Sequence, residues 1–457
     1  MNRRTAQKEG RTLLHIAVPL TAAYIAEMGM VITDMIIVGR LGSKELAAVG
    51  LAGDLFWVFL LIGMGVVSIV GVLAAQSLGE GDAAKTAAAG EQGLIAATLT
   101  SLPIMLAVWF MGPVLSHAGQ DPDVVRLVTD YSRVLTLAVF PAMWFVALRN
   151  FVTALARSAI IGWITLGALL LNLGLNYALV FGVGGLPPLG VVGAGIGTSV
   201  VNWIMFATLL RHVTRAPPFE AYRLQLPPRR VDRRVLGELF GLGTPVALTQ
   251  ILNGAMFSAA AVLVGSIGAA TLAAQQVIYA VLYIALSAAS GFADAVRVRV
   301  AYFTGLGDLV TARLSVRLAV TLTALVTAVA CLVLWFQPRL LVGAFLDPAD
   351  TDKQGVLTIA ISLSAAAGVF TLLDGVQMIL ANALRGLRDT RTPLWIALVG
   401  YWLVGLGSGV LLCFGLGYGA EGLWWGLAAG VFVCNLLLML GLRRRWQLTL
   451  YLRSAAQ

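Results

Sequence analysis

The chain has 457 residues, of which 59% are hydrophobic and 12% charged. An ordinary soluble domain carries about 25% charged residues, so this chain lacks the polar groups to cover a water-facing surface. It reads as an all-α polytopic membrane protein. Its formal net charge of +9 is spread over many short loops, with no nucleic-acid-binding module to use it.

Twelve runs are long and apolar enough to cross a bilayer, at about 12–36, 46–72, 90–111, 126–148, 159–181, 191–212, 241–264, 272–298, 313–336, 355–382, 392–414 and 420–441. The first follows a basic stretch, is too long for a signal peptide and lacks a clear cleavage site, so it is taken as a span. It carries Glu27 and Asp34, seven residues and so about two helical turns apart on one face. An acid at mid-membrane costs about 2.5–3.5 kcal/mol or more, so such residues usually face a bundle interior and mark an ion or substrate path. Asp54, in the second span, reads as reaching a water-filled vestibule.

The fifth span contains Asn172 and Asn176 in Leu169-Leu-Leu-Asn-Leu-Gly-Leu-Asn-Tyr-Ala-Leu, again on one face. A carboxylate together with amide oxygens can hold Na⁺, and a carboxylate among apolar side chains can instead take up and release a proton. Asparagines so placed also simply bond neighbouring helices. No metal is expected beyond a possible Na⁺ at Asp34, Asn172 and Asn176.

The basic, proline-containing stretch 211–240 reads as a cytoplasmic linker between an amino-terminal lobe, 1–210, and a carboxy-terminal lobe, 241–457. In the eighth span Asp294 is followed at i+3 by Arg297, which reads as a local ion pair. The tenth span carries Asp374, Gln377 and Asn382, with no basic residue until Arg385 at its end. Asp374 is therefore expected to face a cleft between the lobes and meet substrate. Aromatic residues such as Tyr279, Tyr401 and Trp424 suit an interfacial belt or packing, and a few could line a cavity where rings attract organic cations.

The three cysteines, Cys331, Cys413 and Cys434, have neither disulfide nor metal-ligand spacing. The chain shows no nucleophilic triad and no phosphate-cradling loop, so neither an enzyme nor an ATP-driven pump is indicated, and no cofactor is expected. Orientation follows from the 31 lysines and arginines. Most fall on the side that holds both termini, while the opposite side has Arg40, Lys44, Arg126, Arg133, Arg339 and Lys353, which makes the termini cytoplasmic.

The chain also matches itself at an offset of 226 residues, as between Pro19 and Pro245. At this offset Gly65 meets Gly291, and Gly79, Gly81 and Asp82 meet Gly305, Gly307 and Asp308. Six spans per copy return the second copy in the same orientation. The expected architecture is two six-helix lobes related by a parallel pseudo-two-fold repeat, as suits alternating access. The membrane acids do not repeat: Asp34 meets Ala260, and Glu27 meets Asn253. Groups needed for coupling can be private to one half in this way.

Several stretches resemble the multidrug and toxic compound extrusion (MATE) family in its NorM-like branch, over nearly the whole chain. They are Pro19 ahead of Asp34, the run from Asp34 to Gly39-Arg40, Leu171-Asn-Leu-Gly-Leu-Asn-Tyr-Ala-Leu, Gly193-Ala-Gly, Pro245, Ala273-Ala-Gln-Gln and Val298-Arg-Val. Most specific is Asp374-Gly-Val-Gln followed by Leu384-Arg-Gly-Leu-Arg-Asp-Thr-Arg-Thr-Pro.

The resemblance implies export of amphipathic, often cationic small molecules in exchange for Na⁺ or H⁺. It also implies a monomer working in the bacterial inner membrane among lipid, with no nucleic-acid partner. It places a cation-coupling site at Asp34, Asn172, Asn176 and Thr198, to which the face shared with Asp34 adds Glu27. It places the carboxy-terminal-lobe acid at Asp374, and Gln377, Asn253, Gln276 and Tyr279 are taken with it as substrate and cleft residues.

The chain departs from the NorM-like pattern in having Asn253 where a glutamate is usual and Glu27 where a glutamine is common. This leans the coupling site toward the amino-terminal lobe and the coupling ion slightly toward H⁺. A flippase for lipid-linked saccharides is the alternative, but anionic headgroups would call for basic residues within the spans. A non-transporting scaffold or receptor fits poorly with membrane acids in a repeated chain.

Overall fold

The computed structural model describes residues 3–185, 187–222, 224–225, 231–339 and 354–454. Expected basic residues Arg223, Arg229, Arg230 and Lys353 lie outside them. The described residues are helical without a strand, and twelve helices are long and apolar enough to cross a membrane. They are α1 (Arg4–Gly39), α2 (Ser43–Gly79), α3 (Ala83–Trp109), α4 (Pro122–Ala154), α5 (Ala159–Phe181) and α6 (Gly190–Arg215) in the first half. The second half has α7 (Arg233–Gly265), α8 (Ala269–Leu306), α9 (Leu309–Phe336), α10 (Gln354–Gly386), α11 (Arg391–Gly415) and α12 (Gly419–Leu448). Each of the twelve apolar runs became one helix, because a backbone in hydrocarbon must satisfy its own hydrogen bonds.

The repeat reappears as shared devices. Before α3, Gly81 adopts φ +78° and Asp82 caps the helix, accepting from the Lys85 backbone N–H at 2.9 Å. Before α9, Gly307 adopts φ +89° and Asp308 accepts from the Thr311 N–H at 2.9 Å. The left-handed turn needs glycine, and the aspartate satisfies a helix-end donor. That backbone bond holds the Asp82 carboxyl below its usual range.

A second shared device concerns the division of the chain. Two compact units form, one from Met1–Thr21 with Leu248–Gln457 and one from Ala22–Ala247. The divisions therefore fall inside α1 and α7, not in the linker 211–240 as the sequence suggests. Side-chain and backbone contacts explain why. At the start of α1, Glu9 accepts from Arg299 Nε at 2.9 Å and from Ser315 Oγ at 2.7 Å. Further along, Thr21 Oγ1 donates to the Ala288 carbonyl at 3.1 Å.

A Cβ on Gly291 would lie 2.7 Å from the Ala17 carbonyl and 2.8 Å from the Thr21 nitrogen. In the other unit a Cβ on Gly65 would lie 2.5 Å from the Ala247 Cα. Gly65 and Gly291 are equivalents in the repeat, and so are Thr21 and Ala247. Each bare glycine lets a helix backbone come against it.

Gly65→Ala and Gly291→Ala are each expected to destabilise the protein by about 1–3 kcal/mol, the usual cost of overpacking. Thermal unfolding in detergent should show lowered midpoints for both. Gly50→Ala, whose added Cβ would meet nothing within 4 Å, should leave the midpoint unchanged.

Candidate functional site

The unit 22–247 gathers its polar membrane residues around Asp34. Asp34 is buried on α1. Asn176 of α5 donates through Nδ2 to Asp34 Oδ1, and Thr198 of α6 donates through Oγ1 to Oδ2 at 3.2 Å. Asn172, one turn before Asn176, reaches the same carboxyl. The buried Tyr131 of α4 lies within electrostatic reach of Asp34.

Glycines on α6 make this approach possible. A Cβ on Gly197 would lie 1.8 Å from Asn176 Oδ1, and one on Gly193 would lie 2.7 Å from the Leu179 carbonyl. The run Gly193-Ala-Gly-Ile-Gly thus brings α6 against the asparagine face of α5.

The chemistry of this cluster is that of an acceptor-rich pocket. Asn172 Oδ1 and Asn176 Oδ1 are buried without a hydrogen-bond partner, an uncommon and costly condition. Among the described residues no lysine or arginine pairs with Asp34. One carboxylate, two amide oxygens and a hydroxyl can receive a proton, or a Na⁺ if the Asn176 amide turns over to present its oxygen.

Glu27 has a different setting. Arg149 of α4 donates to Glu27 Oε1 at 2.7 Å, and its guanidinium lies 5.1 Å from the centre of the Tyr24 ring. Arg149 was counted by sequence as a topological charge at a span end. It is buried, and no spacing on its own helix signals a partner 122 residues away.

In the unit formed with Leu248–Gln457, α10 buries Asp374, Gln377 and Asn382. Tyr401 of α11 donates its hydroxyl to Asp374 Oδ1 at 3.0 Å. By sequence Tyr401 was one of many aromatics suited to an interfacial belt, packing or a cavity, with nothing to tie it to Asp374. It stands in a π-helical stretch, Leu398–Leu406, and such wide turns frequently occur at functional sites. Gly400 and Gly430 bring α11 and α12 into close contact there: a Cβ on Gly430 would lie 2.4 Å from the Gly400 carbonyl.

The other expected substrate residues have varied settings. Tyr279 is buried among rings, 5.3 Å from Phe257 and 5.7 Å from Trp424 between centroids. Its hydroxyl accepts from Gln275 Nε2 at 3.0 Å and donates to the Phe257 carbonyl at 3.2 Å. Gln276 is exposed, and its neighbour Gln275 is the buried glutamine. Asn253 is partly buried, with Oδ1 lacking a partner. Asp294 pairs with Arg297 at 3.0 Å, the local ion pair its spacing suggests.

Comparison with known proteins places the chain in a family. The MatE family model matches residues 19–178 and 245–411. A protein named "Probable multidrug resistance protein NorM" from Rhizobium meliloti is 33% identical over 428 residues, 94% of this chain and 92% of that relative. The protein of the same name from Pseudomonas aeruginosa is 36% identical over 93% of this chain and 87% of its own.

Among solved structures, the Vibrio cholerae MATE transporter VcmN in its bent form superposes with a TM-score of 0.86 at 19% identity, covering 98% of this chain and 99% of that one. The eukaryotic MATE transporter AtDTX14 gives 0.85 at 22% identity over 97% and 99%. The all-helical fold is shared with both, and with relatives above 30% identity along most of its length the chain belongs to the MatE family of membrane transporters.

Proposed function

We propose that the protein is a multidrug exporter of the bacterial inner membrane, driven by inward movement of H⁺ or Na⁺ at Asp34. It is a transporter and not an enzyme. The observation that carries the coupling assignment is the Asp34 cluster, where Asn172, Asn176 and Thr198 converge on an acid while two amide oxygens stay unpartnered. A bound Na⁺ would be met by those oxygens once the Asn176 amide turns over, and a proton on Asp34 would give one of them a donor; emptying the site removes either partner. That difference is the kind a two-state carrier can use, because a ligand shifts a conformational equilibrium only through unequal affinity for its states.

Asp374 is the proposed contact for the charge of an organic cation, with Gln377 beside it on α10. Tyr401 holds the carboxylate until cargo replaces its hydroxyl. Asn253, Gln276 and Tyr279 are left to packing or peripheral contact. The relatives' multidrug-resistance names support this reading over lipid-linked saccharide flipping. We place both termini in the cytoplasm and take the monomer as the working unit, without a cofactor.

The test uses purified protein in liposomes loaded with ethidium. Imposed H⁺ and Na⁺ gradients are applied separately with the membrane potential clamped. Ethidium movement driven by one gradient is expected. Movement indifferent to both would sink cation coupling.

A further inference from the structure

Glu27 and Asp34 lie on one helix and one face, so both could in principle carry coupling cations. The structure treats them differently. Asp34 is held by neutral amides and a hydroxyl, whereas Glu27 is held by a buried guanidinium at 2.7 Å. The Arg149 guanidinium also lies over the ring of Tyr24, one turn before Glu27. Arg149 from α4 and Tyr24 from α1 itself are thus among the charged and titratable groups around Glu27. A cation entering at Glu27 would have to displace a buried guanidinium that lies against the carboxylate and the Tyr24 ring. The pair carries no net charge and offers such a cation little.

The repeat sharpens the point. The equivalents of Glu27 and Arg149 are Asn253 and Gly375, so the fold does not require this pair in both halves. It stands two turns from Asp34, which pairs with no lysine or arginine among the described residues.

We propose that Arg149 sets the coupling stoichiometry: by occupying Glu27 permanently it restricts exchange in this unit to the single cation site at Asp34. The proposal rests on Asp34 as the coupling acid. Arg149 acts through Glu27 and touches neither the cation nor the cargo, so it is a positioning residue. Removing it should convert Glu27 into a second exchanging carboxylate.

The experiment measures cations exchanged per ethidium in reconstituted full-length protein. The H⁺ or Na⁺ gradient that just balances a fixed ethidium gradient gives the ratio. Arg149→Gln should raise the ratio by one. Arg149→Lys should keep the unsubstituted value by restoring the pair. The double variant Glu27→Gln with Arg149→Gln removes both charges together and should also keep that value.

An active Arg149→Gln protein with an unchanged ratio would show a merely structural pair. A double variant whose ratio falls by one would show Glu27 to be an exchanging group already. Either result overturns the proposal.

Because Arg149→Gln leaves a buried charge unneutralised and could fail to fold, infrared difference spectra of the unsubstituted protein between cation-loaded and ethidium-loaded states supply an independent reading. Carboxyl bands should be untouched by Glu27→Gln. A band that survives Asp34→Asn and disappears in Glu27→Gln overturns the proposal. Failure of the coupling assignment itself would look different, since Asp34→Asn would then still export against a gradient.

Discussion

Asp34→Asn is expected to abolish gradient-driven ethidium export while leaving membrane insertion and folding intact. Asparagine has nearly the same shape, and its oxygen can still accept from Asn176 or Thr198, the present donors to Asp34. Burying a neutral amide costs less than burying a carboxylate, so stability should be unchanged or raised. What is lost is the exchangeable charge. With none to trade, an imposed H⁺ or Na⁺ gradient has no purchase on the conformational equilibrium. Uptake into inverted vesicles should fall to that of vesicles without the protein, while thermal unfolding and yield match the unsubstituted chain. Normal export by well-folded Asp34→Asn protein would exclude Asp34 as the coupling acid.

Asp374→Asn is expected to weaken cationic cargo by about tenfold or more and neutral amphiphiles much less. A charge pair at 4 Å is worth about 4 kcal/mol at an effective dielectric constant near 20, before desolvation is subtracted, and tenfold in affinity is about 1.4 kcal/mol. The residue is buried, and its carboxylate accepts the Tyr401 hydroxyl at 3.0 Å. Binding of cation therefore competes with a hydrogen bond inside the protein. Tyr401→Phe removes that competitor and keeps the carboxylate, so it should retain the preference for cations that Asp374→Asn loses. Competition of ethidium with a neutral dye, measured for both variants, checks the pair of expectations. Equal losses for charged and neutral cargo in Asp374→Asn would indicate a structural or coupling role instead.

Much of the Asp34 site is legible in the amino-acid order. Asp34 stands out because acids are rare in spans, and the one-turn spacing of Asn172 and Asn176 puts both on one face of α5. Thr198 came from family resemblance, and the structure brings it to the same carboxyl. Around Asp374 less could be read. Tyr401 is one tyrosine in an apolar span, and a π-helical stretch over Leu398–Leu406 alters the face that simple helical periodicity assigns to it. Gln275 and Gln276 are adjacent, and one residue is about 100° of rotation on a helix. Only the neighbours of α8 decide that Gln275 turns inward and Gln276 outward.

By itself the sequence determined the twelve crossings, the twofold writing of the chain and the rarity of its membrane acids. These properties are local: hydropathy over about 20 residues decides whether a helix spans, and capping aspartates such as Asp82 and Asp308 act within a single turn. Only the tertiary structure decided that Glu27 is paired with Arg149, that Asp374 is met by Tyr401, and that the compact units divide after Thr21 and Ala247. Each of those depends on groups far apart in the chain. Backbone contact at Gly65 and Gly291 sets which helix segments pack together, and helix packing sets which charge an acid meets. Periodicity along one helix shows which side chains share a face. It does not show what the facing helix will present to them.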